Sequence, residues 1–304
     1  MTAPLPRGLA AWLILLPTLL FGDTVTLSGG ERKTGRILGV EQEVLLLSSQ
    51  PVPGLPAVDL RLSKSRITAI EFEGDPKRDE FVRNAGPAQL PEVKSLWERF
   101  APLLPIPGSP SARIGLRYGL LLLDAKGDGV REASLALFEK IATAAPTPPE
   151  REAAAQGVLR SLLADRQWAR AETEASAICQ KECGTPLLAE ARLTIGMVQA
   201  AKLVQFTELN PRWREDDFAR PERDRMHEAA LDGLLGAALL PGVPGDLAAR
   251  GLRWALDVYA LAGDQVRARE VAGDLASFYA DTVEAKAAVE WLNANPERAG
   301  SNSK

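Results

Sequence analysis

From Ser111 to Asn295 apolar residues recur every three to four positions, punctuated by short Gly, Pro and Asp breaks. A chain that keeps this helical period must bury one face of each helix on its neighbours, so a helical array is the first constraint on the fold. The breaks predict helices near 111–123, 130–145, 149–164, 167–180, 186–206, 221–240, 245–262, 265–280 and 283–294. Representative stripes are Ala133, Leu137, Ile141 and Ala144, and Leu188, Ala191, Ile195 and Val198. Small Ala and Gly residues within the stripes let helices approach closely. Helices of this length joined by short turns are αα-hairpins, and several in succession predict a solenoid with one continuous core.

The N-terminus reads as an address. Arg7 is followed by an apolar run from Leu9 to Phe21, which contains Pro17 and ends at Gly22 before Asp23-Thr24. That is the pattern of a secretory signal peptide, and the run is shorter than the roughly 20 residues a spanning helix needs. Cleavage is expected after Gly22, the alternative being an uncleaved anchor. No Cys stands directly after the run, which closes the lipoprotein route, and no later stretch is apolar enough to span a bilayer. The mature chain is therefore expected outside the cytoplasm, periplasmic or extracellular.

Between Asp23 and Phe72 the period changes to two. Asp23–Leu27, Lys33–Val40, Glu43–Leu47, Val58–Leu62 and Ile67–Phe72 alternate polar and apolar residues around Gly- and Pro-rich turns, including a break at Gln50 to Pro56. Five short strands with one apolar face each predict a small antiparallel barrel or curled sheet. Gly35 and Gly39 are placed to bend a strand. The wording Asp23-Thr24-Val25-Thr26-Leu27, then Gly30, Gly35 and Ile37, followed by Ser65-Arg66-Ile67 and Ile70-Glu71-Phe72, resembles the small SH3-like barrel found after the signal peptide of some exported bacterial envelope proteins. The resemblance implies a docking module and brings no catalytic residues.

Residues 75–110 carry Pro76, Pro87, Pro91, Pro102, Pro105, Pro107 and Pro110. This predicts a connector with one short helix, Pro91 to Phe100, and an extended spacer from Pro102 to Pro110.

Two places in the helical region resemble tetratricopeptide repeats. Gly127-Asp128-Gly129 precedes Ser134, Phe138, Ile141 and Pro146 at the spacing of the second helix of such a repeat; Ala262-Gly263-Asp264 precedes Ala268, Ala272 and Leu275. The first helices lack the repeat's Trp and Tyr wording, and Trp168 and Trp254 sit elsewhere. The resemblance implies a tetratricopeptide-like α-solenoid that binds partners on its surface.

Thr207 to Arg225 breaks the regularity with two prolines, two aromatics and dense mixed charge. As a binding or lid segment it would offer Trp213 and Phe218 to a partner, with Arg212, Arg214 and Arg220 as anion contacts. As a solvated insertion its aromatics would tuck back onto the core.

Catalytic equipment is sparse. His227-Glu228 begins a zinc-protease motif, but His227 is the only His in the chain. Asp124 to Gly129 mimics a calcium loop, yet Lys126 and Leu135 occupy ligand positions. No G-x-S-x-G or Walker lysine loop is present. Glu215, Asp216 and Asp217 could supply a carboxylate pair only if desolvated. Cys179 and Cys183, at a helix end, are expected as a local disulfide in an exported chain, with free thiols as the alternative. No metal or cofactor is expected. A formal net charge of -4 gives no basic field for nucleic acid.

The resulting expectation is a mixed fold: a signal peptide at 1–22, a small β-barrel at 23–74, a connector at 75–110, a helical-repeat domain at 111–294 and a polar tail at 295–304. Its expected role is a non-enzymatic scaffold of a bacterial envelope that binds a protein or peptide. The alternatives are a glycan- or peptidoglycan-acting protein using the 207–225 loop, and a structural subunit with an exposed apolar patch.

Overall fold

A computed structural model describes residues 22–50, 55–73, 76–125, 127 and 129–296. The expected signal segment up to Phe21 and most of the polar tail lie outside the described residues. The chain divides into two compact units, Met1–Asp75 and Pro76–Lys304.

The first unit is an antiparallel sheet of β1 (Asp23–Leu27), β2 (Arg32–Glu41), β3 (Val44–Ser49), β4 (Val58–Ser63) and β5 (Ile67–Glu71), in the order β4-β3-β2-β1-β5. Alternation drives one face inward: Val25, Leu27, Ile37, Leu45, Leu47 and Ile70 are buried. β2 serves both halves, pairing with β1 through Arg32–Gly35 and with β3 from Arg36 onward. Gly35 lies at the changeover, where a Cβ would overlap the Ser48 carbonyl. Just beyond, the register shifts between Ile37 and Gly39, and the buried Asp23 carboxylate accepts the Ile37 N–H at 2.9 Å. The expected closed barrel is not formed. β4 and β5 follow one another through a short 3-10 turn, Lys64–Arg66, but end on opposite edges of an open sheet: β4 pairs only with β3 and β5 only with β1, so the two edges are not joined.

The second unit is helical: α1 (Pro76–Asn84), α2 (Leu90–Phe100), α3 (Ser111–Asp124), α4 (Val130–Ala144), α5 (Pro148–Ala164), α6 (Trp168–Cys179), α7 (Thr185–Leu209), α8 (Ala219–Ala238), α9 (Gly245–Ala262), α10 (Gln265–Phe278) and α11 (Val283–Ala294). From α3 onward each helix packs on the next, and α3, α5, α7, α9 and α11 also pack on one another in succession, whereas the even-numbered helices barely meet. α5 and α7 run the same way. The Gly184 N–H at the start of α7 donates to Glu152 near the start of α5 at 3.2 Å, and further along both helices Arg160 meets Glu190.

Local chemistry sets the breaks. Thr147 caps α5 in a box with Glu150, Asp264 caps α10 by accepting the Arg267 N–H, and Gly263 ends α9 in the left-handed region at φ 82. Packing uses the small residues. Phe138 of α4 lies against Gly119 of α3 and Gly157 of α5, where a Cβ at either glycine would overlap its ring. On α7 and α8 the backbones meet at Gly196 and Gly233: a Cβ on Gly233 would stand 2.7 Å from the Gly196 Cα.

The expected connector is part of this unit. Pro76 starts a helix rather than breaking one, since the first helical turn needs no proline N–H. The segment after α2 is packed, not an extended spacer, with Leu103, Leu104 and Ile106 buried. The Thr207–Arg225 break contracts to Asn210–Phe218, because α7 runs on to Leu209 and α8 starts at Ala219.

Candidate functional site

α7 packs on α5, α6, α8 and α9, which bury much of its surface. Arg192 and Glu208 keep exposed positions on this helix, whereas Glu190 stands in its second turn with its side chain fully buried. A buried carboxylate persists only if cations and hydrogen bonds replace its water. Two neighbours supply both. Arg160 of α5 donates from Nε at 2.9 Å and from Nη2 at 2.6 Å to Oε2, and Arg250 of α9 donates from Nη1 to Oε1 at 3.0 Å and to Oε2 at 3.1 Å.

Three successive odd helices thus meet at one charge centre. Burial, the largest influence on Arg160, pulls its pKa down, but the charge and hydrogen bonds of Glu190, with Asp246 and Asp124 further off, raise it on balance. The centre holds two positive charges and one negative. Glu190 uses only part of each guanidinium, and the Arg160 and Arg250 side chains remain 25% and 24% exposed. Such a pair, held in place from beneath by a carboxylate, presents a fixed positive site suited to a second carboxylate from outside. None of the three residues stands out as a site in the sequence. The available signal was a lone acid in the apolar run Leu187 to Val198.

The residues expected at the 207–225 break are only partly brought together. Trp213 is half-buried, with Arg223 Cζ 4.0 Å and Arg214 Cζ 4.7 Å from its ring centroid. Phe218 is 90% exposed. Arg212, Arg214 and Arg220 are exposed, and Arg220 sits 3.8 Å from Asp217. The carboxylates are in water: Asp217 is 93% exposed, and Asp216 accepts the Phe218 and Ala219 N–H groups, which hold its pKa below the usual carboxylate range. These groups form no desolvated pair of the kind general acid chemistry needs.

Arg223, unremarked in the sequence, is buried under Trp213, and its Nε and Nη2 have no hydrogen-bond partner. Burial foremost, and Arg214, lower its pKa, while Asp224 at 3.5 Å opposes them. One turn on, His227 packs edge-on to Tyr259 at 6.2 Å, its Nε2 buried without a partner. Burial and then Arg223 lower its pKa below 6.5.

Cys179 and Cys183 are free thiols, so the expected disulfide is not formed. Cys179 turns onto the apolar cluster of Leu159, Ala175 and Ala191, and Cys183 lies beyond the end of α6. Burial pushes both thiols up, aided at Cys183 by Glu152.

Among the described residues no group of His, Cys, Asp and Glu is placed to hold a metal ion, and no helix is long and apolar enough to cross a membrane. Compared with family models, with curated proteins and with solved structures, the chain matches none.

Proposed function

We propose that this chain is an exported, non-enzymatic interaction module of a bacterial-type envelope, whose helical unit binds a protein or peptide partner along its odd-numbered helices. The observation that carries this reading is the Arg160–Glu190–Arg250 centre, to which three successive odd helices each contribute one residue. A partner's acidic group laid across α5, α7 and α9 would meet both arginines at once. The succession of odd-on-odd contacts supports a tetratricopeptide-like array, in which one helix of each pair lines a shared binding face. The strand order of the first unit, with its 3-10 turn between β4 and β5, supports an SH3-like docking role for the sheet. Export rests on the Met1–Gly22 pattern alone.

The test is a crosslinking pull-down of the tagged chain from its native envelope, followed by mass spectrometry. The reading expects protein partners crosslinked reproducibly to α5, α7 and α9. Recovery of only cell-wall fragments or small molecules, crosslinked near Trp213, would contradict it and favour the glycan alternative.

A further inference from the structure

A second charged site lies at the other end of the helical unit, between α1 and α3. A cavity of about 230 Å³ opens there, lined by apolar Val82, Pro110 and Ile114 and by Arg83, Arg113 and Arg117. Asp79 is the one carboxylate in its lining, and it is already shared. Arg113 Nη1 stands 3.3 Å from its Oδ2 and Arg78 Nε 3.9 Å from its Oδ1. Arg83 and Arg117 have no ion-pair partner among the described residues. Arg117 is fixed by donating from Nη2 to the Ala85 carbonyl, which leaves its Nε buried without an acceptor.

We propose that this cavity binds a terminal carboxylate carried on a short apolar stem. Three guanidiniums against one acid leave two positive charges facing a space with an apolar wall. The planar fork of arginine matches the two oxygens of a carboxylate, and Val82, Pro110 and Ile114 receive the stem. At about 30 Å³ per water-sized group, the volume admits roughly seven or eight non-hydrogen atoms, the size of a six-carbon acid. Inorganic phosphate would satisfy the charge but leave the apolar wall unused. The carboxylate has two possible sources, a free short-chain acid or the C-terminal residue of a peptide.

The test is calorimetric titration of the intact chain with hexanoate, with hexanamide as the uncharged control and inorganic phosphate as competitor. Saturable hexanoate binding is expected, with no hexanamide binding and at least tenfold weaker affinity in Arg83→Gln and in Arg117→Gln. Arg83 is exposed, so its variant keeps the test open if the Arg117 variant fails to fold. A peptide ending in a free leucine and the same peptide amidated separate the sources: tighter binding of the free peptide than of hexanoate assigns a chain end, and the reverse assigns a free acid. The proposal is overturned if hexanoate does not saturate, if both variants bind it unchanged, or if phosphate binds more tightly than hexanoate.

Discussion

Arg250 and Glu190, 60 residues apart in the chain, meet with Arg250 Nη1 3.0 Å from a carboxylate oxygen that has no access to water. The contact locks α9 onto α7, and Arg160 locks α5 onto the same carboxylate through Oε2. Its two halves are unequal, because the carboxylate is fully buried and the guanidiniums are not. Replacing both arginines by alanine strands a buried charge and should cost about 3–5 kcal/mol. Glu190→Gln leaves two cations that can turn to water and should cost about 1–3 kcal/mol. Chemical denaturation of the two variants gives the order, and a Glu190→Gln variant less stable than the double arginine variant would refute this assignment of burial.

The glycine contact between α7 and α8 makes a sharper demand. Gly233→Ala drives a methyl group into the Gly196 backbone, which has no side chain to move aside, and should destabilise by about 1–3 kcal/mol despite the better helix propensity of alanine. Gly273 on α10 faces open space, with nothing within 4 Å of where an alanine methyl would stand, so Gly273→Ala should stabilise by about 0.5–1 kcal/mol. Thermal melts of the pair decide it; equal shifts would mean that the close approach is not maintained in solution.

His227 supplies a pH dependence that can be read cleanly, since it is the only His in the chain. Its folded pKa is lowered by burial, then by Arg223 on its own helix and Arg267 on α10, while Asp224 and Glu228 pull the other way. The unfolded chain therefore takes up a proton that the fold refuses. The contribution is constant above about pH 6.5, falls as pH drops below that value, and levels off once the folded pKa is passed. Between pH 7 and pH 5 the native chain should lose more thermal stability than His227→Gln, and equal losses would show that the imidazole is not held neutral.

Trp213 and Phe218 should separate under mutation. Trp213→Ala removes a ring stacked on two guanidiniums, one of them buried, and should cost about 2 kcal/mol. Phe218→Ala removes a side chain 90% exposed and should change stability by less than about 0.5 kcal/mol. If Phe218→Ala lowered the melting temperature as much as Trp213→Ala, Phe218 would be a packing residue rather than a surface available to a partner.

The helical period and its punctuation carry most of the second unit: the bounds of α9 and α11 follow from Pro244, Gly263, Thr282 and Asn295 as they stand in the sequence. α1 is harder to read because only Val82 of its residues is buried, leaving no stripe to count. Whether the sheet closes is decided by whether the edge strands β4 and β5 pair, and alternation along a strand carries no information about that. The charge centre is hidden for a related reason. Arg160, Glu190 and Arg250 lie 30 and 60 residues apart, and each looks like an ordinary surface charge until the Glu190 face of α7 is known to be covered by α5 and α9. At the 210–218 loop the sequence presents the aromatics as a group, whereas the first residues of α8 capture Trp213 and leave Phe218 outside.

The most direct measurement for the proposed function is the yield of partner crosslinks in the native chain and in an Arg160→Lys, Arg250→Lys variant of matched thermal stability. Lysine keeps both charges over Glu190 but not the planar fork that receives a second carboxylate. Crosslinks on α5, α7 and α9 should fall at least about tenfold in the variant. Unchanged yields on those helices, or crosslinks confined to the sheet, would contradict a partner site built on the arginine pair.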